Sequence, residues 1–342
     1  MNFGTTPEPS RFPVSVGRVL GLAVLVLALT QCATMPRATQ TPRLNAHDWT
    51  AGDGKRMPYE SWPAMTSGGA GAPKAVLLCV HGLSGAASDF WPLGQELPKR
   101  GITVYGLQLR GQGNDPDLSA RGDIRTARQW QQDVREFAAL VRAENPEQPF
   151  FWLGESMGSL ITTHALAKGP REASAQPDGL LLLSPAIALR DSLPAWKSYA
   201  ARAASWVAPG QRIPLARLDP KQVPGMRITR DTTHESQAPK TPHLVPAQSL
   251  RLLREVGGMM RGSQAAARQL HLPVLVLYTP NDPVVTQAQV EAWFAQLSSA
   301  DKTRLFFPDD FHLILHDEHR WQAVSQIGDW ILERARPSGA GR

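Results

Sequence analysis

Short, largely apolar runs alternate along this chain with segments of helical character. The strand-length runs are residues 75–80, 102–109, 150–153, 180–183, 274–278 and 303–307. The helix candidates between and after them are residues 89–100, 126–144, 157–168, 287–297 and 320–334. Strands that are apolar on both faces and alternate with amphipathic helices are typical of a parallel sheet covered by helices on both sides. We therefore predict an α/β fold.

Two regions depart from this alternation. Residues 49–65 predict a hairpin that turns at the GDG sequence of residues 52–54. Residues 189–270 contain no strand-like run comparable to the others, and they predict a mostly helical insertion that caps the sheet. The cap either simply packs on the core or forms a lid over a pocket, and it can do both. The predicted core is then residues 49–188 together with 271–336.

The N-terminus has the pattern of an export signal. Arg11 and Arg18 precede an apolar run at residues 19–29, which is about half the length that a membrane-spanning helix needs. Residues 1–31 are therefore predicted to be a signal peptide.

The residues after that apolar run resemble the lipobox of bacterial lipoproteins. Residues 29–33 read LTQCA, and in that family Cys32 would be lipidated as the first residue of the mature chain. Gln31 departs from the pattern, because a small residue is usual there. We expect an exported protein that is lipid-anchored in the bacterial cell envelope, with residues 32–48 as a tether. A plain secretory signal, giving a periplasmic or secreted protein, and an uncleaved anchor are the alternatives.

Charge and cysteine content narrow the class further. The net charge is +6, but the Lys and Arg residues are scattered without a dense basic block, which argues against nucleic-acid binding. If Cys32 carries lipid, Cys79 is left alone and no disulfide can form. Cys79 lies inside an apolar run, which favours a buried structural role.

The sequence GESMG at residues 154–158 lies between a predicted strand and a predicted helix. A sharp strand-to-helix turn lifts the Ser156 hydroxyl above the sheet edge, and the flanking Gly154 and Gly158 let the chain pass. The same turn aims the backbone N–H of Met157 at the position where an oxyanion would form. Ser156 is therefore the predicted nucleophile.

The sequence HGLSG at residues 81–85 follows the strand that ends at Val80. In enzymes with a serine at such a turn, a loop at this position supplies the second N–H of the oxyanion hole. By analogy with them, the donor here is the N–H of Leu83. Gly82 would allow the backbone to approach a substrate closely. For His81 we favour a structural role, because the histidine that would act as the base for Ser156 is expected near the C-terminus.

Two further loops carry an acid and a base. Asp282 follows the strand at residues 274–278 and is the predicted acid, with Asp191 as the second choice. His312 follows the strand at residues 303–307 and is the predicted base.

His316 and His319 compete with His312 for the role of base. His312 and His316 would also share a helical face, but no third ligand at a recognised spacing supports a metal site. We expect neither a metal nor a cofactor.

Together these motifs resemble the α/β-hydrolase family, and within it the monoacylglycerol lipase and lysophospholipase-like group, also called serine aminopeptidase-type hydrolases. The residues that carry the resemblance, from about Trp49 to Glu333, are His81-Gly82, the LRGQG sequence at 109–113, the GESMG sequence, Asn281-Asp282, and Phe311-His312 with Asp317. The order serine, acid, histidine is that of the family. The resemblance supports His312 over His316 as the base and implies a helical cap.

Three residues depart from the family pattern. Glu155 stands where histidine is usual, Ser159 where glycine is common, and Gln112 where histidine is common. None of these changes removes a catalytic group, and the Glu155 charge would raise the pKa of His312.

The resemblance implies hydrolysis of a carboxylic ester, most simply a lipid-derived acyl ester, through an acyl-enzyme on Ser156. An acyltransferase that uses an alcohol in place of water is the first alternative. A catalytically silent, envelope-associated binding module is the second.

Overall fold

The structure is a computed structural model that describes residues 35, 37–65, 72–169, 176–190, 194–214, 227–232 and 241–335. Four predictions fall elsewhere: the signal peptide at residues 1–31, the lipidation site Cys32, residues 32–34 and 36 of the tether, and the alternative acid Asp191 all lie outside the described residues.

The strands found in the described ranges are, in chain order, β1 (Arg43–Leu44), β2 (Asp48–Thr50), β3 (Arg56–Trp62), β4 (Ala75–Val80), β5 (Ile102–Leu107), β6 (Phe150–Glu155), β7 (Gly179–Leu183), β8 (Arg212–Pro214), β9 (Ala247–Ser249), β10 (Val274–Tyr278) and β11 (Lys302–Phe306). The α-helices are α1 (Trp91–Glu96), α2 (Ala127–Glu144), α3 (Met157–Lys168), α4 (Ala195–Val207), α5 (Leu250–Ala267), α6 (Gln287–Ala295) and α7 (Arg320–Arg334). In this described part of the chain, no helix is both long enough and apolar enough to span a membrane.

The main sheet has the strand order β1-β2-β3-β5-β4-β6-β7-β10-β11 over the described residues. The first three strands and the β3–β5 pair are antiparallel, whereas every pairing from β5 to β11 is parallel. The predicted hairpin is the β2–β3 pair. The parallel strands end at one edge of the sheet, so the loops after β4, β6, β10 and β11 are brought together there.

Helices cover both faces of the sheet because its central strands are apolar on both faces. Val76, Leu78 and Val80 of β4 belong to one buried cluster with residues of α2, α3 and α5. Leu77 and Cys79 of the same strand belong to a second cluster with residues of α1 and α7. This confirms the α/β prediction and the buried position of Cys79.

The predicted helix at residues 89–100 is wrong in detail. The segment is split into a 3₁₀ turn at Ala87–Phe90, the short helix α1, and a second 3₁₀ turn at Pro98–Arg100. Pro98 lacks the backbone N–H that a continuing helix needs, so α1 ends before it. The strand predicted at residues 102–109 also ends early, at Leu107.

Two predictions about organisation need correction. The tether prediction is wrong for residues 43–48, since β1 pairs with β2 and extends the sheet into this segment. The insertion at residues 189–270 is also not free of strands, because β8 and β9 form a short antiparallel pair within it. Both pairs are only two or three residues long, too short for a period of two to be visible in the sequence. The boundaries of the cap stay a prediction.

Candidate active site

Ser156 occupies the turn between β6 and α3. It follows the last residue of β6 and directly precedes Met157, the first residue of α3, with φ 53° and ψ −116°. A positive φ is uncommon for a residue with a side chain and persists only where the surroundings enforce it. The turn predicted from the GESMG sequence is therefore present, with Ser156 in a strained backbone conformation.

The two glycines that flank Ser156 are required by close backbone packing. A Cβ on Gly154 would lie 2.6 Å from the carbonyl carbon of Gly158. A Cβ on Gly158 would lie 2.0 Å from the carbonyl oxygen of Val80, at the end of the neighbouring strand. Both approaches are shorter than any real carbon contact, so only glycine fits at either position.

The structure brings Ser156, His312 and Asp282 together in one hydrogen-bonded row. His312 Nδ1 lies 2.7 Å from Asp282 Oδ2, and His312 Nε2 lies 2.8 Å from Ser156 Oγ. With Asp282 ionised, Nδ1 carries the ring proton and donates it to the carboxylate, so Nε2 accepts from the serine hydroxyl. This is the arrangement in which an imidazole can remove the proton of an attacking serine.

The acid of this row is held firmly. The second carboxylate oxygen of Asp282 accepts hydrogen bonds from the backbone N–H groups of Val284 at 2.7 Å and Val285 at 3.2 Å. Asp282 is 1% exposed and His312 is 5% exposed. The carboxylate is therefore fixed by its own turn and faces the imidazole with little access for water.

The environment shifts the pKa of His312 upward. Burial lowers this pKa, but the charge and hydrogen bond of Asp282, with a further contribution from the charge of Glu155, more than offset it, so the pKa is raised above 6.5. The direction agrees with the one expected from Glu155 in the sequence.

Glu155 is a second buried carboxyl group beside the row. Burial and the nearby charge of Asp89 raise its pKa from 4.5 to about 7, while His312 opposes the shift. Its Oε1 atom is buried and has no hydrogen-bond partner within the described ranges of the chain. Glu155 lies on the same face of β6 as Phe151 and Leu153, which belong to the second buried cluster. Both faces of this strand are buried, so its last residue is buried as well.

The loop after β4 lies against the nucleophile. A Cβ on Gly82 would lie 3.1 Å from Ser156 Cβ and 3.5 Å from Ser156 Oγ. The next residue is Leu83, so its N–H lies on the loop that borders Ser156, and the N–H of Met157 lies at the start of α3, directly after Ser156. Among the described residues neither amide has a hydrogen-bond acceptor. An oxyanion hole requires two such free amides near the serine hydroxyl, and Leu83 and Met157 are the donors predicted for it.

His81 has a structural environment, as the sequence favoured. Its Nδ1 donates to the carbonyl oxygen of Gly82 at 2.9 Å, and its Nε2 accepts from the backbone N–H of Leu109 at 3.1 Å. It is fully buried, and burial lowers its pKa to about 4. His81 is thus neutral at ordinary pH and holds the loop to the chain after β5.

The competing histidines lie outside the row. His319 Nδ1 is 2.7 Å from Asp310 Oδ1, and the His316 ring packs 6.2 Å from the ring of Trp91. Asp317, which follows the predicted base by five residues, accepts the backbone N–H of Phe311 at 2.8 Å and so shapes the turn that carries His312. No group of three or more His, Cys, Asp or Glu residues suited to a metal ion is found in the described ranges.

Segments of the insertion brace the loops of the row, which the sequence did not indicate. The backbone N–H of Arg190 donates to the carbonyl oxygen of Val284 at 2.6 Å, and its guanidinium donates to the carbonyl oxygen of Asp282. On the other loop, the backbone N–H of Leu313 donates to the carbonyl oxygen of Ile228 at 2.9 Å. The acid and base loops are therefore supported from outside the sheet.

The parallel sheet, the strained serine at a strand-to-helix turn and the Ser–His–Asp row define an α/β hydrolase with a serine at its site. Residues 71–319, most of the chain, match the family described as serine aminopeptidase, S33. The chain belongs to this family.

Relatives point to the same family. The chain is 25% identical over 287 residues to the monoacylglycerol lipase of Mycolicibacterium smegmatis, a match that covers 84% of this chain and 96% of that one. It is 25% identical over 301 residues to the monoglyceride lipase of Rattus norvegicus, covering 84% and 95% of the two chains. With these relatives, the chain is a carboxylic ester hydrolase.

Solved structures share the fold. A soluble variant of the monoglyceride lipase of Saccharomyces cerevisiae, in complex with a substrate analogue, superposes with a TM-score of 0.70 at 18% identity, covering 89% of this chain and 97% of that one. At this identity the likeness supports the fold alone.

Proposed function

We propose that the protein hydrolyses lipid-derived acyl esters, of the monoacylglycerol or lysophospholipid type, through an acyl-enzyme on Ser156. The observation that carries the proposal is the row in which Ser156 Oγ lies 2.8 Å from His312 Nε2 and His312 Nδ1 lies 2.7 Å from Asp282. A serine is a weak nucleophile by itself and needs such a base.

In the first half-reaction Ser156 Oγ attacks the ester carbonyl carbon while its proton passes to His312 Nε2. The tetrahedral intermediate collapses, the bond to the alcohol oxygen breaks, and His312 returns the proton to the leaving alcohol. A water molecule then attacks the carbonyl carbon of the acyl-enzyme while His312 takes its proton. The bond to Ser156 Oγ breaks, His312 returns the proton to this oxygen, and the fatty acid is released. Asp282 keeps the imidazole in one tautomer and stabilises the imidazolium that forms in each step.

The N–H groups of Leu83 and Met157 stabilise the negative oxygen of both tetrahedral intermediates. They approach Ser156 from the β4 loop and from the start of α3, and backbone donors fixed in advance need no reorganisation when charge develops. The N-terminus of α3 adds a positive partial charge at the same place.

A lipid substrate is supported by the surface of α4 and by the relatives. Trp196 and Tyr199 are 68% and 72% exposed, and Val207 at the end of the helix is 81% exposed. These large apolar side chains of the predicted insertion are therefore exposed on the surface of α4. Exposed apolar side chains of this kind suit a protein that takes its substrate from an aggregate or a bilayer.

The test is ester turnover by the purified domain with 1-monoacylglycerols, lysophosphatidylcholine and p-nitrophenyl butyrate, beside Ser156→Ala. The proposal predicts faster turnover of a lipid ester than of the short ester and no turnover in the variant. Turnover restricted to the short ester would contradict the lipid part, and turnover that survives Ser156→Ala would contradict the mechanism.

Product analysis with a competing alcohol identifies the acyltransferase alternative by the new ester formed. A silent binding module is the conclusion if the folded wild type has no turnover.

Export and lipid anchoring at Cys32 are part of the proposal. They are supported by the apolar run at residues 19–29 and the following LTQCA sequence. Growth of a bacterial host with labelled palmitate should label the wild type and leave Cys32→Ser unlabelled. Label retained in Cys32→Ser, or absent from both proteins, would contradict the anchor.

A further inference from the structure

Ser84 follows Leu83 on the β4 loop and is held in an unusual backbone conformation. Its φ is 60°, which is uncommon for a residue with a side chain and is maintained only by its surroundings. The backbone of Ser84 continues directly from the proposed oxyanion donor. Whatever fixes Ser84 therefore also restrains the neighbouring residue Leu83.

Three side chains close a ring of hydrogen bonds around this residue. The backbone N–H of Ser84 donates to Gln112 Oε1 at 2.8 Å, and Gln112 Nε2 donates to Gln248 Oε1 at 3.1 Å. Gln248 Nε2 then returns to Ser84 Oγ at 3.0 Å, and Ser84 Oγ donates to the carbonyl oxygen of Val245 at 3.2 Å. Each amide uses both its oxygen and its nitrogen in the ring.

The ring is buried and spans separate parts of the chain. Gln112 and Gln248 are both 0% exposed. Gln112 lies in the loop after β5, and Gln248 lies on β9 within the insertion at residues 189–270. A buried amide that loses one partner leaves a polar atom unsatisfied, so the ring tends to be complete or disrupted as a unit.

We propose that Gln248 is a positioning residue for the oxyanion donor: through Ser84 and Gln112 it holds the Leu83 N–H toward the carbonyl of a substrate on Ser156. This rests on the proposed function, because it assigns the Leu83 amide a role in that reaction. The insertion then contributes to the chemical step itself. The ring also accounts for Gln112, whose amide accepts and donates at once.

The experiment that tests this proposal replaces Gln248 with methionine. The change keeps the volume of the side chain and removes its hydrogen bonds to Gln112 and Ser84. Removal of an oxyanion donor lowers kcat by roughly a hundredfold to a thousandfold, and we expect a misdirected donor to lower it by about tenfold to a hundredfold. Because the donor acts in the transition state, kcat and kcat/KM should fall together. The acidic limb of the pH profile should not move, since His312 and Asp282 lie outside the ring.

Gln131→Met, at another buried glutamine on α2, is the matched control and should leave kcat unchanged.

A double-variant cycle separates positioning from general destabilisation. If the ring acts as a unit, Gln112→Met combined with Gln248→Met lowers kcat no further than the larger single effect. Additive losses, or a rise in KM with kcat unchanged, would overturn the proposal. If Gln248→Met does not fold, Ser84→Ala replaces it, because that change opens the same ring from the loop side.

Failure of this inference differs from failure of the proposed function. Unchanged kcat in folded Gln248→Met, with Ser156-dependent turnover in the wild type, overturns the positioning role alone. A wild type without Ser156-dependent turnover overturns both.

Discussion

The turn that carries Ser156 and the loop that carries Leu83 face each other, but they are held by different means. The turn is fixed by backbone packing, since Gly158 lies directly against the carbonyl oxygen of Val80 in the core. The loop is fixed by side-chain amides, one of which, Gln248, comes from the insertion. The proposed nucleophile is thus held by the sheet itself, whereas the loop that carries the proposed oxyanion donor is also held by a second part of the molecule.

This difference shows how one site can combine a fixed and an adjustable part. Changes that disturb the turn should act on folding, because no space exists there for another atom. Changes that disturb the loop should leave the fold intact and act on kcat.

The largest effect on the fold is expected from Gly158→Ala. Its Cβ would lie 2.0 Å from the carbonyl oxygen of Val80, so β4 and α3 have to separate. We expect a loss of about 3 kcal/mol or more in the free energy of unfolding, measured by denaturant titration. Gly210→Ala is the matched control, because a Cβ there meets nothing within 4 Å. A stable Gly158→Ala protein would show that the turn is less constrained than its contacts indicate.

Asp282→Asn should preserve the fold and lower kcat by about ten-thousandfold, since the amide stabilises the wrong tautomer of His312. Steady-state kinetics with p-nitrophenyl butyrate measure this loss. Asp309→Asn, an exposed change on the neighbouring loop, should have little effect. A loss of less than tenfold in Asp282→Asn would point to another acid, and Asp191 is then the first to test.

Gly82→Ala tests whether a change in the loop lowers kcat without affecting stability. Here the added Cβ would lie 3.1 Å from Ser156 Cβ, a contact that a shift of a few tenths of an ångström relieves. We expect a protein as stable as the wild type, with kcat lowered by about tenfold because the loop and the serine move apart. Thermal unfolding and kcat are measured on the same sample. If Gly82→Ala is unfolded, the loop is as tightly constrained by packing as the turn, which contradicts the difference described above.

The smallest effect is expected from Glu155→Gln. His312 acts as a base only when neutral, and Glu155 is one of the groups that raise its pKa. Removal of the charge should therefore lower the pKa of His312 and move the acidic limb of the kcat/KM profile to lower pH. The shift is modest because Glu155, with a pKa of about 7, loses its own charge over the same range. Glu96→Gln, an exposed ion-pair partner of Lys99, is the control. An unmoved limb, or a shift to higher pH, contradicts this electrostatic role.

Much of the site could be predicted because each functional group follows a strand. Ser156, Asp282 and His312 come after β6, β10 and β11, and parallel strands end at one edge, so the order of motifs in the sequence became proximity in space. The family resemblance of Phe311-His312 with Asp317 also favoured His312 over His316, and in the structure the Asp317 carboxylate shapes the turn that carries His312.

Other features left no signal along the chain. Gln112 and Gln248 are 136 residues apart, and neither lies in a pattern that predicts the other. The strands β1, β8 and β9 are too short for periodicity and form only because neighbouring strands offer partners. The exposed face of α4 has the same spacing as a buried face, so its sequence could not distinguish the two.

The most direct test of the account is to react the purified protein with a fluorophosphonate and to map the adduct by peptide mass spectrometry, beside His312→Ala. We predict one adduct, on Ser156, in the wild type, and a strongly reduced labelling rate in His312→Ala because the serine has lost its base. An adduct on a different serine, or equal labelling of the two proteins, would contradict the Ser156–His312–Asp282 row as the catalytic apparatus.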